Sequence, residues 1–461
     1  MASTAVTASA ALPLAPTNPL PYVKQVLALR TFHTGLETLR DAGGPVTRLV
    51  LAPQWLMPPV VIATSPRGVH DILGRGGRYV DKTIIHQEMR HVLGPNLFDL
   101  NHEQWLPRRR ALQPVFTKPN VRALGGHMTQ AAETVAGGWA DGAQVDLDFE
   151  CRKLTLRALG RSVLGLDLDD RSVAVADPLR VAVEYVTNRA MRPVRAPHWL
   201  PTPARARARG AGQVLHRLAG DILQACRTDP GRDAPLVRAL MAATDPATGQ
   251  GLSDEQIRSE LVIFLLAGHD TTATTLAYAL WALGHHLDLQ RRVAAEAAVI
   301  GDRELTPEDI VRLGYTAQVL HEALRLCPPG AAIARMARQD IEVDGFRVEA
   351  GSMLVVGIYA LHRDPALWDH PLVFDPDRFS LEHAKGRDRW QYLPFGAGPR
   401  SCIGDHFAML EATLALGTIV RSHEIRSIGA DFPMIVPFTT VAATPIPARI
   451  STRGSPKDQM G

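Results

Sequence analysis

Four stretches of this 461-residue chain carry side chains whose types and spacing suit chemistry. The first is Phe395-Gly-Ala-Gly398-Pro-Arg400-Ser-Cys402-Ile-Gly404, which runs directly into an apolar-periodic segment, Asp405 to about Arg421. Cys402 thus precedes a predicted helix N-terminus, where backbone N–H groups and the helix dipole favour an anionic sulfur. Gly398 and Gly404 remove side chains where a flat cofactor must lie close to the backbone. Arg400 is spaced to reach an acidic group of that cofactor, and Phe395 can shield the sulfur from water. In the second stretch, Leu266-Ala-Gly268-His-Asp270-Thr271-Thr272, the Thr271 hydroxyl can bond the carbonyl of Ala267 and loosen the helix. Asp270 beside it offers a proton source. The third, Glu322-Ala-Leu-Arg325, sets a carboxylate and a guanidinium on one helix face at i, i+3. The fourth, Trp105-Leu-Pro-Arg108-Arg109, spaces Trp105 and Arg109 one turn apart, with Pro107 tolerable in a first turn.

The pattern Phe-x-x-Gly-x-Arg-x-Cys-x-Gly resembles the signature of the cytochrome P-450 family, the haem-thiolate monooxygenases, and every fixed position of that signature is met. The resemblance covers about residues 40 to 450, with its motif regions in the family's order. It implies that Cys402 ligates the iron of haem b, with Ala267 and Gly268 leaving space over the iron. Asp270 and Thr271 would relay protons. Trp105, Arg109, Arg400 and Arg335, which follows the Pro328-Pro329 turn, would bind the haem propionates. Glu322 and Arg325 would lock with Arg378 of Phe374-Asp-Pro376-Asp377-Arg378-Phe379 beneath the haem. Two positions depart from the family: Asp377 stands where Glu is commoner, and Asn101-His102 where many relatives read Asp-Gly.

The implied reaction inserts one oxygen atom from O2 into a small lipophilic substrate, by hydroxylation or epoxidation. No Gly-rich nucleotide loop follows the haem region. Electrons from NAD(P)H are therefore expected through a separate ferredoxin or flavodoxin with its reductase, steered by arginines such as Arg387, Arg389 and Arg400. The pocket is expected around Thr83 to Leu100, the loop region 184–202, His269, Ile333, Ala334 and Phe438 to Val441. A peroxide-driven relative, a non-enzymatic haem sensor, and a cysteine hydrolase using Cys402 with His406 are the competing readings.

These side chains need a scaffold. Apolar residues recur at helical spacing over 122–140, 150–165, 211–227, 235–243, 286–300 and 405–421. Val46 to Leu51 can pair with Val60 to Ala63, and Ile341 to Val343 with Phe346 to Val348 across Asp344-Gly345. Met353 to Val356 reads as another strand. Pro193 to Gly212 and Thr228 to Asp233 read as loops, and Asp364 to Tyr392 as irregular. The fold class is mainly α with small β-sheets, as the P-450 fold requires. Ser253 and Gln256 form a capping box for the longest helix. Leu261 to Leu283 is long enough to span a bilayer, but Asp270 lies mid-way, and a charge there costs about 2.5–3.5 kcal/mol. A helix through the centre of a soluble protein is expected.

Composition narrows the class further. Hydrophobic residues make up 46% and charged residues 21%, with a net charge of +3. That balance does not mark a nucleic-acid binder. Arg205-Ala-Arg207-Ala-Arg209 reads as a solvated basic face. Cys151, Cys226, Cys327 and Cys402 lie far apart with no CxxC pair, which fits a reducing cytoplasm and no zinc or disulfide framework. Prolines at 13, 16 and 19 break every apolar run near the start, so no signal or membrane anchor is expected. Residues 1–20 read as a flexible tail and 21–461 as a single haem domain, expected to be monomeric.

Overall fold

The computed structural model of the protein describes residues 12–74, 79–168, 172–190, 192, 195–244 and 249–453. The chain begins with α1 (Tyr22–Arg30), α2 (Phe32–Gly43), β1 (Val46–Leu49), β2 (Val60–Ala63), α3 (Pro66–Val69), β3 (Val80–Asp81), α4 (Ile84–Leu93) and α5 (His102–Leu112). It continues through α6 (Lys118–Ala123), α7 (Gly125–Gly137), β4 (Gln144–Asp146), α8 (Leu147–Leu159), α9 (Ser172–Ala190), α10 (Pro203–Thr228), α11 (Pro235–Ala242) and α12 (Asp254–His285). Then come α13 (Leu287–Ala298), α14 (Gly314–Leu326), β5 (Ile333–Ala337), β6 (Ile341–Val343), β7 (Phe346–Val348), β8 (Met353–Val356) and α15 (Ile358–Leu361). The last elements are α16 (Asp405–Ser422), β9 (His423–Ser427), β10 (Met434–Ile435), β11 (Val441–Ala442) and β12 (Pro447–Thr452). The class is the expected one, mainly α with small sheets.

α12 is the spine. The Ser253 hydroxyl accepts the Gln256 N–H at 3.3 Å, and the Gln256 side chain accepts the Ser253 N–H at 2.9 Å, closing the predicted capping box. A helix apolar on all sides must be covered on all sides, and α8, α10, α14 and α16 pack around this one. No described helix is long and apolar enough to cross a membrane.

The sheets are small. The largest runs β1-β2-β8-β5-β3, with β2 and β8 parallel and the other pairs antiparallel. The β6–β7 hairpin turns on Asp344 (φ 51°) and Gly345 (φ 82°), two left-handed residues in series as a tight primed turn requires.

Five local expectations are corrected. Pro193 to Gly212 is not a loop throughout, because α10 starts at Pro203 under a Thr202 cap, and proline in the first turn costs no hydrogen bond. Arg205 is buried rather than solvated and donates to the carbonyls of Pro197 and His198, each at 2.8 Å, and of Leu200. Residues 184–190, read as loop, belong to α9, whose internal Pro178 disguised it. α5 begins at its Asn101 cap, so Pro107 falls inside the helix and not in its first turn. The segment expected as a loose tail is also held over part of its length. The Asn18 amide donates to the Leu39 carbonyl at 2.8 Å, and Ala15 is buried beside a bridge from Leu14 to Arg347.

Candidate functional site

The Cys402 loop is a closed turn. The Cys402 N–H donates to the Phe395 carbonyl at 2.9 Å, and Gly396 (φ 67°) and Gly398 (φ 72°) take left-handed conformations between them. At Gly398 the crowding comes from the protein itself. An added Cβ would stand 2.0 Å from the Leu73 carbonyl oxygen. At Gly404 an added Cβ would meet no protein atom.

Cys402 is exposed at its surface, yet the protein around it desolvates its sulfur. Burial pushes its thiol up from the ordinary value, while the Gly404 N–H, 3.3 Å from the sulfur, and Arg109 pull it down. The helix-end environment alone therefore does not hold the sulfur as an anion, contrary to the expectation from spacing. A bound cation would deprotonate it outright.

The predicted partners gather on this loop. Arg109 donates to the Ser401 carbonyl at 3.0 Å and to Gln113 Oε1 at 2.8 Å, which ties α5 to the cysteine turn. Arg400 donates to the Leu100 carbonyl at 2.8 Å, and its guanidinium lies 4.4 Å over the ring of buried Trp105. The Arg335 side chain on β5 donates to its neighbour's carbonyl, Ala334, at 2.9 Å. Burial, then repulsion from Arg400, brings Arg335 down to about 10, and burial brings Arg400 down to about 10.

Sequence reasoning missed a third cation here. Lys82, directly after β3, lines one small cavity with Arg335 and Arg400. Burial and then these two arginines push its ammonium well below its ordinary value. Among the described residues neither Arg335 nor Arg400 has an ion-pair partner, and Asp81 is taken by Arg338. Three enclosed cations with so little compensating charge fit a ligand that brings carboxylates with it. The signal in the sequence was a lysine in a chain that otherwise uses arginine.

On α12, Ala267 is exposed although the residues before it are buried. The Thr271 hydroxyl donates to its carbonyl at 2.8 Å, as the spacing predicts. Ala267 is thus exposed and Thr271 half-buried within a stretch of the helix that is mostly covered. Gly268 serves another purpose: an added Cβ would stand 3.0 Å from Leu159 Cδ1, so this glycine admits α8. His269, two residues and about 200° around the helix from Ala267, is buried. Its ring nitrogen Nδ1 has no hydrogen-bond partner, and burial brings it down to about 4. It therefore faces packed protein and not the side that Ala267 exposes.

Asp270 is engaged. Arg152 on α8 pairs with it and also holds Asp148 at 2.7 Å, while the Thr439 hydroxyl approaches its other oxygen at 3.5 Å. A proton route through Asp270 requires it to leave Arg152. A second acid, Glu411 on α16, was not foreseen. It is wholly buried, burial holds its carboxyl well above the usual range, and Thr272 only partly offsets that. The segments expected around a pocket do converge: His86 stacks on Phe98 at 5.0 Å and Phe98 meets Phe438 at 5.6 Å. Ile333 touches the space beside Gly396.

The structural lock forms as predicted in place. Arg325 donates to both Glu322 oxygens at 2.7 Å, and Arg378 Nε lies 3.5 Å from Glu322. Asp377 points elsewhere, taking a bidentate pair with Arg292 on α13 at 2.8 Å. His406 lies 3.7 Å from Asp405.

The family model for "Cytochrome P450" matches residues 13–451. Cyclooctatin synthase of Streptomyces melanosporofaciens is 33% identical over 390 residues, covering 84% of each chain. Cyclooctat-9-en-7-ol 5-monooxygenase of the same organism is 32% identical over 369 residues, covering 80% of each chain. Among solved structures, the cytochrome P450DA heme domain superposes with a TM-score of 0.82 at 25% identity, over 96% of this chain and 97% of that one.

Proposed function

Because the chain belongs to the cytochrome P450 family and is a monooxygenase of it, we propose that it inserts one oxygen atom from O2 into a lipophilic organic molecule, by hydroxylation or epoxidation. The observation that carries this reading is the exposed Ala267 with half-buried Thr271 on a mostly covered helix, in a fold that also presents an exposed Cys402. Both are taken to wall one hollow. The relatives support a lipophilic substrate, since one is named for cyclooctat-9-en-7-ol and another, from Streptomyces avermitilis, for pentalenene.

Haem is the family's cofactor, and Cys402 is the residue that would hold its iron. Lys82, Arg335 and Arg400 would hold its acidic groups, with Trp105 beneath Arg400 and Arg109 fixing the cysteine turn. When bound, the haem supplies the oxygen activation and the redox chemistry. The chain's own contribution is to place groups around it. Ala267 leaves room. Thr271 holds a hydroxyl proton at the accessible face, and Asp270 is the nearest residue in sequence able to resupply it. Electrons are proposed to come from NAD(P)H through a ferredoxin or flavodoxin with its reductase. All four cysteines are free, in keeping with the cytoplasm as the proposed compartment and a single monomeric haem domain as the working unit.

The deciding experiment is turnover of candidate lipophilic substrates with a ferredoxin system. Thr271→Ala is then expected to keep consuming oxygen and electrons while product formation falls, by as much as about 10²-fold if Thr271 carries the proton step alone. Unchanged product per oxygen consumed would remove Thr271 and Asp270 from the relay. The peroxide-driven alternative predicts the opposite, full activity with peroxide and none with electron donors.

Lys82→Gln tests the cation cluster. Losing one charge-assisted contact is worth roughly a tenfold change in equilibrium. Haem transfer to an acceptor protein is expected to quicken by about that factor, with far-UV dichroism unchanged. A wild-type transfer rate would take Lys82 out of the cofactor site.

A further inference from the structure

α4 ends in a cluster of charged and titratable groups that the chemistry above does not use. Glu88 on α4 is buried, and its Oε2 accepts from Arg189 Nε on α9 at 2.7 Å. Arg189 goes on to the Ala196 carbonyl at 2.8 Å and to His198 Nε2 at 3.2 Å. His198 Nε2 also stands 3.6 Å from Glu88 Oε1, and its ring lies on that of His91 with centroids 3.8 Å apart. Arg205 on α10 gathers the carbonyls of Pro197, His198 and Leu200. The turn 196–200 is thus fastened to α4, α9 and α10 at once. α4 starts one residue after Thr83, next to Lys82 of the cation cluster, so one short helix joins that cluster to this turn.

The bond between Arg189 and His198 fixes the imidazole's state. A guanidinium only donates, so Nε2 must offer a lone pair. A proton there would face the guanidinium at the same 3.2 Å. We propose that this cluster is a pH-operated clasp, which holds α4 to the 196–200 turn while His198 is neutral and lets go when His198 is protonated.

The charges around His198 favour release. Glu88 and His91 face it from α4, Arg189 from α9 and Arg205 from α10. Its own segment brings Arg192 and Arg195. His91 also borders a groove with Arg209 and His216 of α10 and Glu255 and Arg258 of α12. Among the described residues Glu88 is the one anion in direct reach of His198, and Arg189 already neutralises it at the shorter distance. Burial, then His91, lowers the His198 pKa, with Glu88 opposing. The sign follows. A lowered folded-state pKa means that the clasp is fully formed above the ordinary imidazole value of 6.5 and is lost as the pH falls below it.

Amide hydrogen exchange on the holoprotein at about pH 8 and about pH 5.5, corrected for intrinsic rates, tests the clasp. In the wild type, residues 84–93 and 196–200 are expected to lose protection several-fold at the lower pH, while α13 and α16 stay protected. In His198→Gln that pH response is expected to vanish. A uniform loss along the chain, no loss in the wild type, or the same loss in His198→Gln overturns the proposal. His91 is exposed on α4, and His91→Gln provides a second arm should His198→Gln fail to fold. It is expected to shrink the response, and an unchanged response there overturns the proposal as well.

Discussion

Cys402→Ser is expected to abolish the red-shifted band of the reduced, carbon-monoxide-bound haem protein, and monooxygenase turnover with it. On our proposal the Cys402 thiolate would hold the haem iron, and a thiolate ligand there would supply electron density that favours O–O cleavage. A serine oxygen does not replace that push. The change is otherwise mild. The Cys402 sulfur accepts the Gly404 N–H at 3.3 Å. The turn itself is closed by the backbone bond from Cys402 N–H to the Phe395 carbonyl and by the Arg109 guanidinium donating to the Ser401 carbonyl, both of which serine leaves in place. The stability cost is therefore expected near that of one exchanged hydrogen bond, about 1 kcal/mol. Spectrum and stability thus separate the two roles a buried cysteine can have. If the serine variant keeps the shifted band, Cys402 is not the ligand. If it unfolds, the residue is structural.

Glu322→Ala is expected to have the largest effect on folding. Glu322 and Arg325 are both 0% exposed. The carboxylate also takes the Asp375 N–H at 2.9 Å, and Arg325 reaches the carbonyls of His362, Pro371 and Val373. Three chain segments meet on this one ion pair. Removing the carboxylate strands a guanidinium in the core, a cost of about 3–5 kcal/mol. Net stabilities are commonly about 5–15 kcal/mol, so the variant should express poorly or denature at far lower denaturant. Asp377→Ala is the control. It lies on the same turn, but its pair with Arg292 is exposed on both sides and should cost less than about 1 kcal/mol. Equal denaturation midpoints for the two variants would mean that the buried pair does not hold the fold.

Much of this architecture was legible from local chemistry. Ser253 and Gln256 cap α12 because a serine and a glutamine three residues apart satisfy each other's backbone whatever surrounds them. Asp344-Gly345 turns a hairpin because those residues tolerate positive φ. Thr271 bonds Ala267 because four residues make one helical turn. The Phe395-to-Gly404 signature closes on itself through one backbone bond. In each case donor and acceptor lie within a few residues, so spacing alone states the geometry.

What spacing left unstated lies where folded segments touch. An added Cβ at Gly268 would crowd Leu159, and one at Gly398 would crowd the Leu73 carbonyl. Arg205 looked like one of three solvated arginines, yet it is buried against carbonyls while Arg207 and Arg209 stay exposed. Glu411 gave no signal, because a lone charge beside apolar neighbours reads as surface until other elements enclose it. Residue type and spacing state which groups are able to react and which turns they can make. Burial, charge balance and close approach come from segments hundreds of residues apart in the chain, and these decide which glycine yields to a helix, which cation is left without an anion, and that His269 faces packed protein while Ala267 lies exposed.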